Sequence, residues 1–302
     1  MKKIGLIGLG IISKKYKLGL LNNGFFKLVS VCDKNEDQYN ISEYKQYKFY
    51  SDYRDMIIKE KLDYVLVATS TESHESVIMD SLELGINVLS EKPLAIFSNS
   101  IKKIFDKASE KKLLVDCIFH WIYGSEAIFM YNYLRNKKIL SISIYINDNY
   151  AVNNNRIRKD RVSLLGTWLD SGINAISFIS NFVNIDELGC EEKSYYIDET
   201  CNMPYMSKHV FKLKDLKVCI NIDWSKEIDK KITYIRTVDE SIVVDHSNQR
   251  VLVDEKEVFD GNKYDRLSTH YLNYFSNFNE DIKFENIRKM HKFLFEYNYT
   301  WE

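Results

Sequence analysis

Two short segments of this 302-residue chain combine residue types that chemistry needs. The first is Gly8-Leu9-Gly10-Ile11-Ile12-Ser13, which follows an apolar run at residues 3–7. Glycine at the first position permits a tight turn. Glycine at the second lets the backbone approach a pyrophosphate, which then sits on the amino end of the following helix. The third position governs only the packing of helix on strand, so the small Ser13 serves there. Asp33 lies 25 residues after Gly8 and ends the next predicted strand. A carboxylate there accepts hydrogen bonds from ribose hydroxyls and favours NAD, while Lys34 beside it attracts a 2′-phosphate and keeps NADP open. The plain alternative is a glycine turn in an α/β domain that binds no nucleotide.

The second segment is Glu91-Lys92-Pro93, at the end of another predicted strand. Proline fixes its own φ and holds Lys92 toward extended geometry. An X-Pro bond also admits the cis form at small cost. Such a turn aims the Lys92 ammonium into the crevice beyond the strand ends. The plain alternative is a solvated lysine before a turn.

Both segments need a scaffold that presents strand ends. In the first 120 residues, buried strands are predicted at 3–7, 28–32, 63–69, 87–90 and 113–119. Helices are predicted at 11–22, 52–60, 75–84 and 99–111, with Ser51 or Asp52 capping the second and Ser98 the fourth. This alternation implies right-handed crossovers and a parallel sheet, so both segments fall at carboxyl ends of strands. After residue 120 the pattern changes. Helices are predicted at 123–136, 162–181, 266–277 and 284–299. Strands are predicted at 139–146, 210–213, 218–224, 232–238, 242–245 and 250–253, too closely spaced for crossover helices and therefore mainly antiparallel. The predicted class is α/β: a doubly wound parallel sheet (a Rossmann domain, 1–120) followed by an α+β domain with an open, mainly antiparallel sheet (121–302).

Composition narrows the function classes. A net charge of −1 gives no general attraction to nucleic acid or to an acidic membrane surface. No stretch approaches the roughly 20 apolar residues of a membrane span. The glycines break the apolar run near the start, so no signal peptide is expected and the chain reads as cytoplasmic. Five cysteines lack CxxC spacing, so neither a disulfide framework nor a metal site is expected. There are two prolines, Pro93 and Pro204, which excludes proline-rich linkers.

Further residues join these in a recognisable set. Val67–His74 (VATSTESH) follows the third predicted strand, and Gly166-Thr167-Trp168-Leu169-Asp170-Ser171-Gly172-Ile173-Asn174 lies in the second domain. With the glycine turn and Glu91-Lys92-Pro93, they resemble the glucose–fructose oxidoreductase/inositol dehydrogenase (Gfo/Idh/MocA) family over residues 3–180. The resemblance implies an NAD(P)-dependent sugar oxidoreductase. It places Gly8, Gly10, Ile11, Ile12, Asp33, Lys34, Thr69, His74 and Glu91 at the cofactor, and Lys92, Asp170 and Asn174 at the reaction. His120, Trp121 and Trp168 would hold substrate.

Two departures stand out. Ser70 replaces the proline usual after Thr69, and Asn174 replaces a histidine. Asparagine exchanges no proton near neutral pH. The segment Asp170-Ser171-Gly172-Ile173-Asn174-Ala175 and the pair Phe119-His120 are similar to those of the aldose 1-dehydrogenases acting on L-arabinose or D-galactose. That branch implies oxidation of a free sugar at C1 to a lactone. The alternatives are a nucleotide-sugar dehydrogenase or reductase and a non-catalytic NAD(P)-binding sensor. The resemblance also implies a homodimer or homotetramer formed through the second-domain sheet.

Overall fold

The computed structural model describes residues 1–152, 155–261, 264–281 and 284–299. They form two compact units: Met1–His120 with His270–His291, and Trp121–Thr269 with the described residues from Lys292. The sequence pattern predicts residues 270–291 within the second domain. Their aromatic side chains place them in the first: Phe275 meets Tyr16 and Phe26 edge-on, and Phe278 packs on Phe25 and Phe26.

The first unit is a six-stranded parallel sheet. Its strands are β1 (Lys2–Ile7), β2 (Phe26–Cys32), β3 (Lys48–Tyr50), β4 (Tyr64–Val67), β5 (Asn87–Glu91) and β6 (Val115–Ile118), in the order β3-β2-β1-β4-β5-β6. The inner strands are fully buried apolar runs, as parallel sheets require: Tyr64, Val65, Leu66 and Val67 have no exposed surface. The crossovers are α1 (Ser13–Leu21), α2 (Glu36–Ile41), α3 (Tyr53–Glu60), α4 (Thr71–Glu83) and α5 (Ser98–Lys111). Asp52 caps α3 as predicted, accepting from the Arg54 N–H. Ser98 does not cap α5. Phe97 occupies the N-cap, Ser98 is already helical, and no side chain closes that end. Because every strand runs the same way, Gly8, Asp33, Thr69, Lys92 and His120 all lie beyond the same edge of the sheet. Lys92 is two strands from Gly8, about 10 Å at normal strand spacing.

The second unit is a mixed, mainly antiparallel sheet. After α6 (Ser125–Tyr133) come β7 (Ile139–Asn149) and the short strands β8 (Ala151–Val152) and β9 (Arg156–Ile157). A π-helical turn, Trp168–Gly172, leads into α7 (Ile173–Ile179). Seven strands follow: β10 (Gly189–Asp198), β11 (Met203–Leu213), β12 (Leu216–Asp223), β13 (Ser225–Thr237), β14 (Ser241–Asp245), β15 (Arg250–Val253) and β16 (Lys256–Asp260). The order is β10-β11-β12-β7-β13-β14-β15-β16, and β12 with β7 is the one parallel pair. Strand alternation sorts the faces. Ile142, Ile144, Ile146, Val218, Ile220 and Ile222 are buried on one, and Tyr145 and Tyr234 are exposed on the other. Pro204 lies within β11. The chain ends in α8 (Arg266–Ser276) and α9 (Phe284–Glu296). Among the described residues, no helix is long and apolar enough to cross a membrane.

Candidate functional site

In the first unit, the turn between β1 and α1 is built around Gly8. Its φ of +97° lies where L side chains are strained, and a Cβ would come within 2.6–2.8 Å of the Ala68–Thr69 backbone. Gly10 faces open space, with no atom within 4 Å of where a Cβ would stand. Ser13 substitutes for the third glycine by turning inward, its hydroxyl donating to the Gly10 carbonyl at 2.7 Å. Asp33 ties this turn to the end of β2. One carboxylate oxygen accepts from the Leu9 N–H at 2.8 Å, and the other from the Asn35 N–H at 2.9 Å. Each oxygen keeps a second lone pair for a ribose hydroxyl. Ile11 and Lys34 are exposed and Ile12 is half-buried. An open glycine turn, a helix amino end and an anchored carboxylate fit an adenine dinucleotide.

The turn after β5 is held on every side. The Lys92–Pro93 peptide is cis. Glu91 is buried, and its Oε1 accepts from both the Tyr16 hydroxyl of α1 and the Tyr271 hydroxyl of α8. Its Oε2 accepts from the Lys92 N–H at 3.2 Å. Burial pushes the Glu91 carboxyl above the usual range, and the two tyrosine hydroxyls and the Lys92 charge oppose that rise. The resemblance places Glu91 at the cofactor; its carboxylate fixes the turn that carries Lys92.

Pro93 and Leu94 are pinned as well. His74 of α4 sits with Nδ1 2.8 Å from the Pro93 carbonyl and Nε2 3.1 Å from the Thr69 carbonyl. Burial holds its pKa below the ordinary value, so the imidazole is neutral and its single N–H suits the shorter contact. His74 therefore donates to the turn after β5 while its other ring nitrogen lies against the end of β4. Beside it, the Thr69 hydroxyl has no hydrogen-bond partner among the described residues. His291 of α9 accepts the Leu94 N–H at 3.0 Å through Nε2 and donates from Nδ1 to the Ile287 carbonyl at 2.8 Å. At the end of β6, the buried His120 meets His270 Nδ1 to Nδ1 at 3.0 Å, so one ring donates and the other accepts.

In the second unit, the π-helical turn carries Asp170, and Asn174 follows in α7. Asn174 is nine-tenths buried; its amide donates weakly to the Asp170 carbonyl at 3.4 Å. Its Oδ1 is buried with no partner among the described residues. Ser171 Oγ lies 3.4 Å from Asp170 Oδ2 and 3.4 Å from Asp148 Oδ2, and accepts from Trp224 Nε1 at 3.2 Å. Asp148 is buried and paired with Lys231 at 2.6 Å. Burial raises the Asp148 carboxyl and the neighbouring Asp170 adds to the rise, while Lys231 opposes it.

Trp168 and Trp121, which the resemblance places at the substrate, are buried in the second unit. Both are stacked on histidines of the same unit, Trp168 on His209 at 3.6 Å and Trp121 on His246 at 4.5 Å between ring centres. The Trp168 ring also fills the space a Cβ on Gly172 would need, and its N–H donates to the Leu294 carbonyl. These rings are part of the core of the second unit.

Residues 2–119 match the model of the Gfo/Idh/MocA oxidoreductase family, described as an NAD-binding Rossmann fold. Over 108 residues the chain is 29% identical to an inositol 2-dehydrogenase of Salmonella paratyphi B. That stretch is 34% of this chain and 32% of the relative, so the match spans about a third of the length of the curated relatives. A dehydrogenase (MviM) of Clostridium difficile superposes with a TM-score of 0.80 at 20% identity, covering 98% of each chain. The WlbA dehydrogenase of Bordetella pertussis, solved with NADH and UDP-GlcNAcA, gives 0.78 at 14% identity over 98% of this chain and 94% of its own. The fold is that of the Gfo/Idh/MocA oxidoreductases.

Within this Gfo/Idh/MocA-type fold, sequence reasoning passed over Tyr16, Tyr271, His291, Asp148 and Lys231. Asp148 had a legible signal. Continuing the alternation of Ile142, Ile144 and Ile146 by one step puts it on the buried face. The two tyrosines and His291 carried none, because their partners are 75, 180 and 197 residues distant in the chain.

The His291 geometry sets a pH dependence. Burial lowers its pKa to about 4 from an ordinary value near 6.5. The unfolded chain therefore binds a proton that the native state refuses. The resulting stability is complete above about pH 6.5 and lost as pH falls toward 4. Asp116, raised by burial to about 6, contributes with the opposite sign. Urea unfolding at pH 7.5 and pH 5 should show His291→Gln losing about 2 kcal/mol less on acidification than the wild type. Equal losses would mean that His291 is not the neutral acceptor described.

Proposed function

We propose that this chain is an NAD(P)-dependent oxidoreductase that removes a hydride from C1 of a free aldose, giving a lactone. The carrying observation is the placement of Lys92, fixed by Glu91 and His74 at the same sheet edge as the open Gly8–Gly10 turn. The Leu9–Ile12 backbone and the start of α1 hold the pyrophosphate, and Asp33 holds the adenosine ribose, with NAD preferred. The bound dinucleotide supplies the hydride acceptor.

Lys92 contacts the reacting hydroxyl and orients it. Asp170 takes the hydroxyl proton. Asn174 offers its unpartnered Oδ1 to a sugar hydroxyl, which would satisfy an acceptor whose isolation costs about 1–3 kcal/mol. Since Asn174 cannot titrate, the proton goes to Asp170, with Lys92 orienting the hydroxyl. His120 contributes to substrate binding. The Asp-Ser-Gly-Ile-Asn-Ala segment supports an aldose over a nucleotide sugar. Five free thiols suit a reducing cytoplasm.

Assembly through a second copy of the chain completes the reading. On the outer face of the second-unit sheet, Tyr145 and Tyr234 are 43% and 48% exposed, beside a hollow of about 440 Å³ that Asn147, Lys230 and Ile232 also line. Light scattering should give a dimer or tetramer for the wild type and a smaller species for Tyr234→Asp. A monomeric wild type would remove this assignment.

The function is tested by following nicotinamide absorbance with NAD and NADP against free aldoses and nucleotide sugars. Turnover is expected with aldoses. Lys92→Met should lower it at least about a hundredfold, with cofactor affinity changed little. Turnover confined to nucleotide sugars would favour the alternative substrate class. Cofactor binding with no turnover on either set would leave a sensor.

A further inference from the structure

Resting on the reading of Asp170 as proton acceptor, we propose that Ser171 and Asp148 carry the proton onward from Asp170, with Lys231 positioning Asp148. Asn174 stands where the family resemblance leads one to expect a titratable histidine. The groups that replace its proton work lie on the buried face of the sheet. Asp148 ends the inward series Ile142, Ile144, Ile146 on β7. On β13, Lys231 is in register with Ile146, so it emerges on the same face. Their ion pair at 2.6 Å holds Asp148 Oδ1 and leaves Oδ2 toward Ser171.

The Ser171 hydroxyl has the geometry of a shuttle. Its oxygen lies 3.4 Å from each of two carboxylates, and it has one hydrogen to give. Trp224 Nε1 is a donor only and occupies a lone pair of that oxygen at 3.2 Å. The Ser171 hydrogen can therefore point to either carboxylate.

The bound dinucleotide would accept the hydride, with both electrons, from the sugar C–H bond that breaks. The hydroxyl proton goes to Asp170. Asp170 then gives a proton to Ser171 Oγ as Ser171 gives its own to Asp148. Ser171 is regenerated, and Asp148 loses the proton to water. The other charged or titratable groups that face Asp148 are Asp229 of β13 and Tyr150, whose ring lies under the Arg161 guanidinium at 4.7 Å. Burial and Asp170 together hold the Asp148 carboxyl above the usual range, which suits a group that must accept a proton.

Two readouts on the full-length chain test this. The first needs no turnover. Isotope-edited infrared spectra of aspartate-labelled protein, with Asp148→Asn to assign the band, follow the protonation of Asp148. Its titration should move down in Asp170→Asn and up in Lys231→Met. The second uses L-arabinose and D-galactose with NAD. Ser171→Ala, which deletes one atom, should lower kcat about tenfold, leave KM within about twofold, and raise the solvent deuterium isotope effect. Lys231→Met should move the acid limb of kcat to higher pH. A Ser171→Ala enzyme with unchanged kcat and isotope effect overturns the path, as does an Asp148 titration unmoved by Asp170→Asn. A wild type that oxidises neither sugar overturns the catalytic reading, and the path with it. That failure is told apart because the Asp148 titration is still read.

Discussion

The buried carboxylate of Glu91 is the constraint on which the candidate site depends. A carboxylate out of water is costly unless its lone pairs are used. Here they are used by α1 through Tyr16, by α8 through Tyr271, and by the backbone of the turn it precedes. Hydrogen bonds to an ionised group contribute more than neutral ones, about 1.5–3 kcal/mol each, and a lost partner leaves a buried group unsatisfied. The turn carrying Lys92 therefore cannot shift without uncovering Glu91.

That constraint accounts for features that look separate. Residues 270–291 join the parallel-sheet unit because Tyr271 must reach Glu91 and His291 must reach Leu94. His74 and His291 stay neutral, one donating to the turn and one accepting from it. Four helices, α1, α4, α8 and α9, thus contribute one side chain each to a four-residue turn. Such redundancy is what a site requires when a misplacement of about 1 Å costs a hundredfold in rate.

The legible part of the molecule was the part written in local pattern. The glycine turn, Asp33, Lys92 and the parallel sheet followed from short motifs and from apolar runs of four to seven residues. The three residues of β3 and the six of α2 are too short to show a period. The burial of Trp168 and Trp121 was not legible, because an aromatic beside a motif has no local mark of burial. Only the fold reveals the histidines stacked on them. Glu91 shows the same limit from the other side: its motif was visible, but its two hydroxyl partners come from distant segments.

The central claim is that the Glu91–Leu94 turn is locked from several elements at once. Native-state amide hydrogen exchange at Lys92 and Leu94 reads this directly. In the wild type both amides should exchange only through global unfolding. In a Tyr16→Phe/Tyr271→Phe variant they should exchange by local opening, while the amides of β1 and β4 stay protected. Wild-type amides at Lys92 and Leu94 that exchange as fast as those of exposed loops would contradict the account.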